Sequence, residues 1–95
     1  MSGYLIVQVK VTDPEQYAKY TAVTPDLIQR FGGRFVVRGG PVEELEGQHD
    51  GRRVVVIEFP SVEQARTFWH SPEYTEAKTL RANAAVVTSI AVAGV

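Results

Sequence analysis

From Tyr4 to Val11 the chain alternates, with Leu5, Val7, Val9 and Val11 on one side and Tyr4, Ile6, Gln8 and Lys10 on the other. This period of two predicts a strand with one apolar face. Asp13-Pro14-Glu15-Gln16 has the form of a helix start, with Asp13 as N-cap, Pro14 in the first turn and Gln16 placed to reach back as in a capping box. Tyr17, Tyr20, Thr24, Leu27 and Phe31 follow at helical spacing until Gly32-Gly33. Pro25 falls inside that pattern and predicts a kink or break near Thr24, because proline removes an intrahelical bond and crowds the preceding turn. Arg34 to Arg38 alternates again, with Phe35 and Val37 on one face and Arg34, Val36 and Arg38 on the other, and Gly39-Gly40-Pro41 closes it. Val42 to Gly51 is a polar, hairpin-type connection with room for some extended structure at Val42 to Leu45. Arg53 to Phe59 is the strongest strand signal, rich in Val and Ile and closed by Pro60. Ser61 to Gln64 repeats the capping pattern and opens a helix with Ala65, Phe68 and Trp69 on one face. Ser71-Pro72 stops it and caps a further turn carrying Tyr74, Ala77 and Leu80 or Arg81. Val86 to Val95 is the last strand, with Ile90 and Val92 as its core positions.

The element order is β-α-β-β-α-β, and an internal repeat supports it. Ile6-Val7-Gln8-Val9-Lys10-Val11 superposes on Val54-Val55-Val56-Ile57-Glu58-Phe59, and Asp13-Pro14-Glu15-Gln16 superposes on Ser61-Val62-Glu63-Gln64 at the same offset. Right-handed crossovers in both β-α-β units lead to an α+β, ferredoxin-like fold: a four-stranded antiparallel sheet with both helices on one face, formed by residues 1–95 as a single domain. Leu5, Val7, Val9, Phe35, Val37, Val55, Ile57, Phe59, Ile90 and Val92 make the face under the helices. The opposite face is mixed, and its apolar members Ile6, Val36, Val54 and Val56 exceed what a monomer leaves in water. A second sheet is expected to cover them, giving a homodimer in which two sheets pack as an α/β barrel. Gln8, Arg34, Arg38 and Glu58 then point into the lumen, where charges need partners.

Composition narrows the partners. Ten Lys plus Arg against eleven Asp plus Glu leave a formal charge of −1, which provides no electrostatic footprint for nucleic acid or an anionic membrane surface. The absence of Cys removes disulfides, thiolate metal sites and Cys nucleophiles. Ala82 to Val95 is uncharged but shorter than the roughly 17 to 25 residues that span a bilayer. No secretory pattern opens the chain, so a cytoplasmic location is the default expectation.

Several motifs occur together in order: Tyr4-Leu5-Ile6-Val7, Arg34 with Arg38-Gly39-Gly40, Leu45-Glu46-Gly47, Val56-Ile57-Glu58-Phe59-Pro60-Ser61, and Trp69 with Ser71-Pro72-Glu73-Tyr74. Across nearly the whole chain they resemble the DUF1330 family. The resemblance implies the dimeric α/β-barrel superfamily and a family with no established reaction. Cofactor-free monooxygenases, lactone isomerases, dehydratases and haem-handling proteins share that superfamily, so membership alone does not select a chemistry. It also implies a ligand pocket between helices and sheet.

The candidate chemistry is sparse. Arg38 precedes Gly39-Gly40, whose freedom at positive φ allows a sharp turn that aims the guanidinium into a cavity, to bind a carboxylate or enolate oxygen. The alternative is a strut in which Arg38 pairs with Glu58 or Glu46. Glu58 ends an apolar strand; burial would suit it to general-base work, whereas Arg34 across the strand pair would hold it ionised. His70 ends a helix, where a cationic imidazole suits the dipole, and His49 sits beside Asp50 in a polar loop. Tyr17, Tyr20, Trp69 and Tyr74 are core by spacing, yet so many polar-tipped aromatics also suit a pocket lining. Two isolated His make no metal site, and no phosphate-binding glycine motif or cofactor signature occurs. The expectation is a protein that binds a small, oxygen-bearing molecule between helices and sheet. Any catalysis would be cofactor-free proton transfer, with Glu58 or His70 moving the proton, Arg38 stabilising an oxyanion, and Tyr20, Trp69 and Tyr74 lining the site. The alternative is a non-catalytic binding or stress-associated module with a purely structural charged lumen.

Overall fold

The computed structural model describes residues 1–95. Its elements run β1 (Gly3–Val11), α1 (Pro14–Arg30), β2 (Arg34–Arg38), β3 (Arg53–Phe59), α2 (Val62–Trp69), α3 (Pro72–Lys78), a 3-10 turn (Thr79–Arg81) and β4 (Ala85–Ala93). The strands form one antiparallel sheet in the order β2-β3-β1-β4, as the two crossovers require. The molecule is only 16 Å thick along its shortest axis, enough for the sheet and one layer of helices. No helix is long and apolar enough to cross a membrane.

The three helix starts are set by side-chain caps. Asp13 accepts from the Gln16 N–H at 3.2 Å, Ser61 from the Gln64 N–H at 3.1 Å, and Ser71 from the Tyr74 N–H at 3.1 Å. Each satisfies a donor left orphaned at a helix terminus and contributes about 1 kcal/mol. The two glutamines do not reach back to their caps. Gln16 donates from Nε2 to the Leu80 carbonyl, and Gln64 from Nε2 to the Phe31 carbonyl, both at 2.9 Å. They stitch each helix start to a distant segment.

Pro25 does not break α1, which is continuous from Pro14 to Arg30. An internal proline costs about 3 kcal/mol, but the turns on either side bury Thr24, Leu27 and Ile28 against the sheet. Burying Leu and Ile contributes roughly 1.5 to 3 kcal/mol each, so packing outweighs the defect. Residues 40–52 contain no strand, and the extended piece expected at Val42 to Leu45 is absent.

Under the helices, Leu5, Val9, Val55, Ile57 and Phe59 meet Leu27, Ile28, Ala65, Phe68 and Tyr74 in one cluster of buried residues. Phe68 is its centre: its ring lies 5.3 Å from Phe59, 5.6 Å from Phe31 and 4.5 Å from Tyr74.

Two strand faces differ from the expected ones. A bulge between Phe35 and Val37 shifts the β2–β3 register, so that Phe35 faces Ile57 but Val37 faces Val56 and Arg38 faces Val55. One extra residue reverses every later side chain. Val37 therefore lies on the open face, and Arg38 lies on the helix side. In β4, Ile90 pairs with Ile6 and Val92 with Tyr4, which puts both on the open face, 59% and 39% exposed. The parity is set at the strand's start, where the Thr12 and Asp13 N–H groups both donate to the Ala84 carbonyl and Val86 falls opposite Lys10.

β1 passes so close to α2 that Gly3 cannot carry a side chain. A Cβ there would collide with the backbone of Ser61 and Val62. Gly40 has open space around it and no positive φ. Gly3→Ala is expected to lower unfolding free energy by about 1 to 3 kcal/mol in urea titration, whereas Gly40→Ala stays within about 0.5 kcal/mol of wild type.

Candidate functional site

The gap between α1, the α2–α3 corner and the sheet is not completely filled. Val7, Val9, Val55 and Ile57 form the floor of a cavity of about 40 Å³; Tyr17, Tyr20 and Thr24 come from α1, and Phe68, Trp69 and Tyr74 from α2 and α3. That is room for a slender group or a few waters. The lining is apolar apart from three phenols, two threonine hydroxyls and the guanidinium groups of Arg38 and Arg53. Both arginines are exposed residues, so the cationic groups stand at its open side.

Local sequence explains the placement. Tyr17, Tyr20 and Thr24 recur at three- and four-residue spacing, which puts them on one side of α1. Ser71-Pro72 ends α2 and starts α3 at once, turning Tyr74 back under Trp69 with rings 5.0 Å apart. The Tyr20 and Tyr74 hydroxyls meet at 2.6 Å, joining α1 to α3. Burial, reinforced by the neighbouring Tyr74 phenol, holds the Tyr20 phenol far above the usual tyrosine range, and burial also raises that of Tyr17. Both remain protonated donors at neutral pH.

The structure brings together Arg38, Tyr17, Tyr20, Trp69 and Tyr74. Tyr17 and Tyr74 are members of the buried core, and Tyr20 and Trp69 are partly buried against it. The same rings serve both packing and lining. Glu58 is elsewhere, on the open sheet face. It accepts from Arg34 Nε at 2.8 Å and from the Tyr4 hydroxyl at 3.0 Å. These hydrogen bonds, Arg34's foremost, hold its carboxyl below the usual range, which opposes a role as a base near neutral pH. His70 is exposed at the end of α2 and borders a separate shallow groove with Leu5, Trp69 and Ile90. The strut expected of Arg38 is also absent. None of the ion pairs includes it, and its guanidinium instead lies over the Phe35 ring, 4.4 Å from the centroid.

Arg53 is the member that sequence inspection missed. The signal was present: Arg53 has the same parity as Val55 and Ile57, which marks it for the helix side at the start of β3. His49 uses Nε2 on the Arg52 carbonyl at 2.8 Å, Asp50 pairs with Arg52, and Arg52 Nη1 donates to Thr88 Oγ1 at 2.8 Å, so this loop is tied to β4. No three His, Asp or Glu side chains converge on a common point that would hold a metal ion.

Because the Tyr20 phenol is raised in the folded state, its contribution to stability is complete below the unfolded tyrosine pKa near 10 and declines as pH rises beyond it. Tyr20→Phe is expected to cost about 1 kcal/mol at pH 7 by removing the Tyr74 hydrogen bond. It should also flatten the loss of stability between pH 9 and pH 11 in urea titrations, a loss that approaches about 1.4 kcal/mol per pH unit once the unfolded phenol has titrated.

Comparison with known proteins places this geometry in a wider set. A protein of unknown function from Rhodopseudomonas palustris superposes with a TM-score of 0.75 at 25% identity, covering 99% of this chain and 82% of that one. A dimeric ferredoxin-like protein of unknown function from Jannaschia superposes at 0.65 with 14% identity, over 95% of this chain and 98% of that one. SnoaB, a cofactor-independent oxygenase from Streptomyces nogalater, superposes at 0.62 with 13% identity, over 99% and 93%. The last two likenesses establish the fold alone. No curated protein matches the sequence. The family described as Domain of unknown function (DUF1330) matches residues 2–95, and the chain belongs to it.

Proposed function

We propose that the chain acts as a homodimer whose subunits each bind a small, largely apolar, oxygen-bearing molecule between helices and sheet. The observation that carries the ligand reading is the pocket itself: an apolar slot lined by Tyr17, Tyr20, Trp69 and Tyr74, with Arg38 on its open side. Apolar concavity with a few convergent polar groups is the usual form of a small-molecule site. Binding is better supported than proton transfer. No carboxylate or imidazole lines the slot, Glu58 is on the other face of the sheet, and the buried phenols hold their protons too tightly to serve as bases.

The dimer reading rests on the open sheet face. Helices cover one side only, while Val36, Val86, Ile90 and Val92 are 39% to 59% exposed on the other, beside Ile6, Val54 and Val56. The bulge and the parity of β4 make this apolar area larger than the sequence suggested, since Val37, Ile90 and Val92 join it. A second copy is the fitting occupant, because two such sheets stacked face to face bury equivalent apolar residues. Arg34, Glu58 and Tyr4 already satisfy one another there, so burial would strand no charge among them. The Jannaschia protein of the same fold is described as dimeric.

Two measurements check these statements. Trp69 is the sole tryptophan and borders the slot, so its fluorescence is expected to shift in a saturable way on titration with small ketones, alcohols or carboxylic acids of six to ten carbons; a flat response across that panel would remove the ligand reading. Light scattering is expected to give a dimer at micromolar concentration. Val56→Glu should weaken it at least a hundredfold, about 2.8 kcal/mol, because each subunit would press an unpaired carboxylate against its twin; a stable wild-type monomer defeats the dimer.

A further inference from the structure

The polar side of the slot carries two guanidinium groups with no acid to neutralise them. Arg38 faces Val55 across the β2–β3 pair, and Arg53 precedes Val55 by two residues, so the two arginines are diagonal neighbours on the helix side of the sheet. Arg30, Arg34, Arg52 and Arg66 each have a carboxylate within 4 Å, whereas neither Arg38 nor Arg53 does. Two like charges side by side repel unless something anionic lies between them.

Their positions are built by the backbone. Gly39 has φ +70, and a Cβ on it would come within 2.5 Å of Arg53 Nε and 2.9 Å of its Cζ. The missing side chain is the space that the Arg53 guanidinium occupies. Arg38 is held over the Phe35 ring, a contact that orients a cation without cancelling its charge. Arg53 is also the largest influence opposing the burial that raises the Tyr17 phenol, and both residues line the slot. The rest of the lining is aliphatic and aromatic apart from the threonine and tyrosine hydroxyls, with no carboxylate to repel an anion.

We propose that Arg38 and Arg53 together hold the carboxylate of an apolar monocarboxylic acid, whose hydrocarbon part enters the slot between helices and sheet. The proposal rests on the slot being a ligand site and narrows its occupant from oxygen-bearing to anionic. A planar carboxylate suits guanidinium donors approaching from two sides, each by a charge-assisted hydrogen bond. Trp69 and the tyrosines then pack on the slender chain behind it.

The test is a Trp69 fluorescence titration at pH 8 and low salt with hexanoate and octanoate, each beside its neutral isostere, hexanamide and octanamide. Wild type is expected to bind the acids at least tenfold more tightly than the amides, with an affinity that falls as salt is added. Arg53→Gln and Arg38→Gln should each weaken the acids about tenfold and leave the amides within about twofold, while Arg53→Lys recovers part of the loss. Melting curves should be nearly unchanged, since neither arginine supports an ion pair. Equal binding of acid and amide by wild type, or acid binding indifferent to Arg53→Gln, overturns the carboxylate proposal and leaves a neutral ligand site standing. If Arg53→Gln does not fold, the wild-type acid-to-amide ratio and its salt dependence decide. Failure of all four probes to bind overturns both the carboxylate and the ligand site.

Discussion

Both crossover connections land on the same face of the sheet, and almost everything else in this protein follows from that asymmetry. One face of each strand meets a layer of helices, and the other meets no part of its own chain. Side chains alternate between these two environments, so a single strand carries two unrelated sets of instructions. β3 shows it most clearly. Arg53, Val55, Ile57 and Phe59 serve the core and the slot, while Val54, Val56 and Glu58 belong to the open face. The buried set supplies the cohesion, centred on Phe68, whose contacts with Phe31, Phe59 and Tyr74 join the C-terminal cap of α1 to β3 and α3. The open set remains as exposed apolar surface of a kind that soluble chains normally cover.

The fold was legible in the sequence wherever the information was local. The alternation of β1 and β3, the caps at Asp13, Ser61 and Ser71, and the handedness of two crossovers determine element type, order and sheet topology. The misplacements have one cause, which is that strand parity is a non-local property. In β2, nothing in Arg34-Phe35-Val36-Val37-Arg38 announces a bulge, because both central residues are valine and either face accepts them. In β4, Ala85, Val87, Ser89 and Ala91 alternate with Val86, Thr88, Ile90 and Val92, and size alone favours the second set for a core. Backbone bonds from Thr12 and Asp13 to Ala84 decide otherwise. Pro25 is the same lesson in a helix: a local breaking signal yielded to the burial of Leu27 and Ile28.

The site was legible to the same degree and for the same reason. Helical spacing brought Tyr17, Tyr20, Trp69 and Tyr74 into consideration, and all of them line the slot. Arg38 was singled out for its neighbouring glycines, which do release a positive φ at Gly39, but its arrival on the helix side depends on the bulge. Without that extra residue Arg38 would share the open face with Glu58. It would then lie opposite Val54, about 13 Å along the strand from Glu58, which faces Arg34 in either register. The bulge thus takes Arg38 off the face that carries Glu58 and delivers it to the slot, with Glu58 left to Arg34 and Arg38 free of any carboxylate.

That separation has an electrostatic consequence for how the two faces work together. The chain is close to neutral overall, with a formal charge of −1, so uncompensated charge can exist in one place only if compensation is concentrated elsewhere. On the open face the acid is spent locally: Arg34 and Tyr4 hold Glu58 ionised and satisfied, which is the state a carboxylate needs if a second sheet is to exclude water from it. On the helix side the reverse holds, since Arg38 and Arg53 stand at an apolar slot without an acidic partner. A face prepared for burial must have its charges closed into pairs, whereas a face prepared for a charged ligand must keep one sign unpaired. β3 carries both conditions on alternate residues, so pairing of the open faces would also stiffen the strand that forms the slot's floor and presents Arg53.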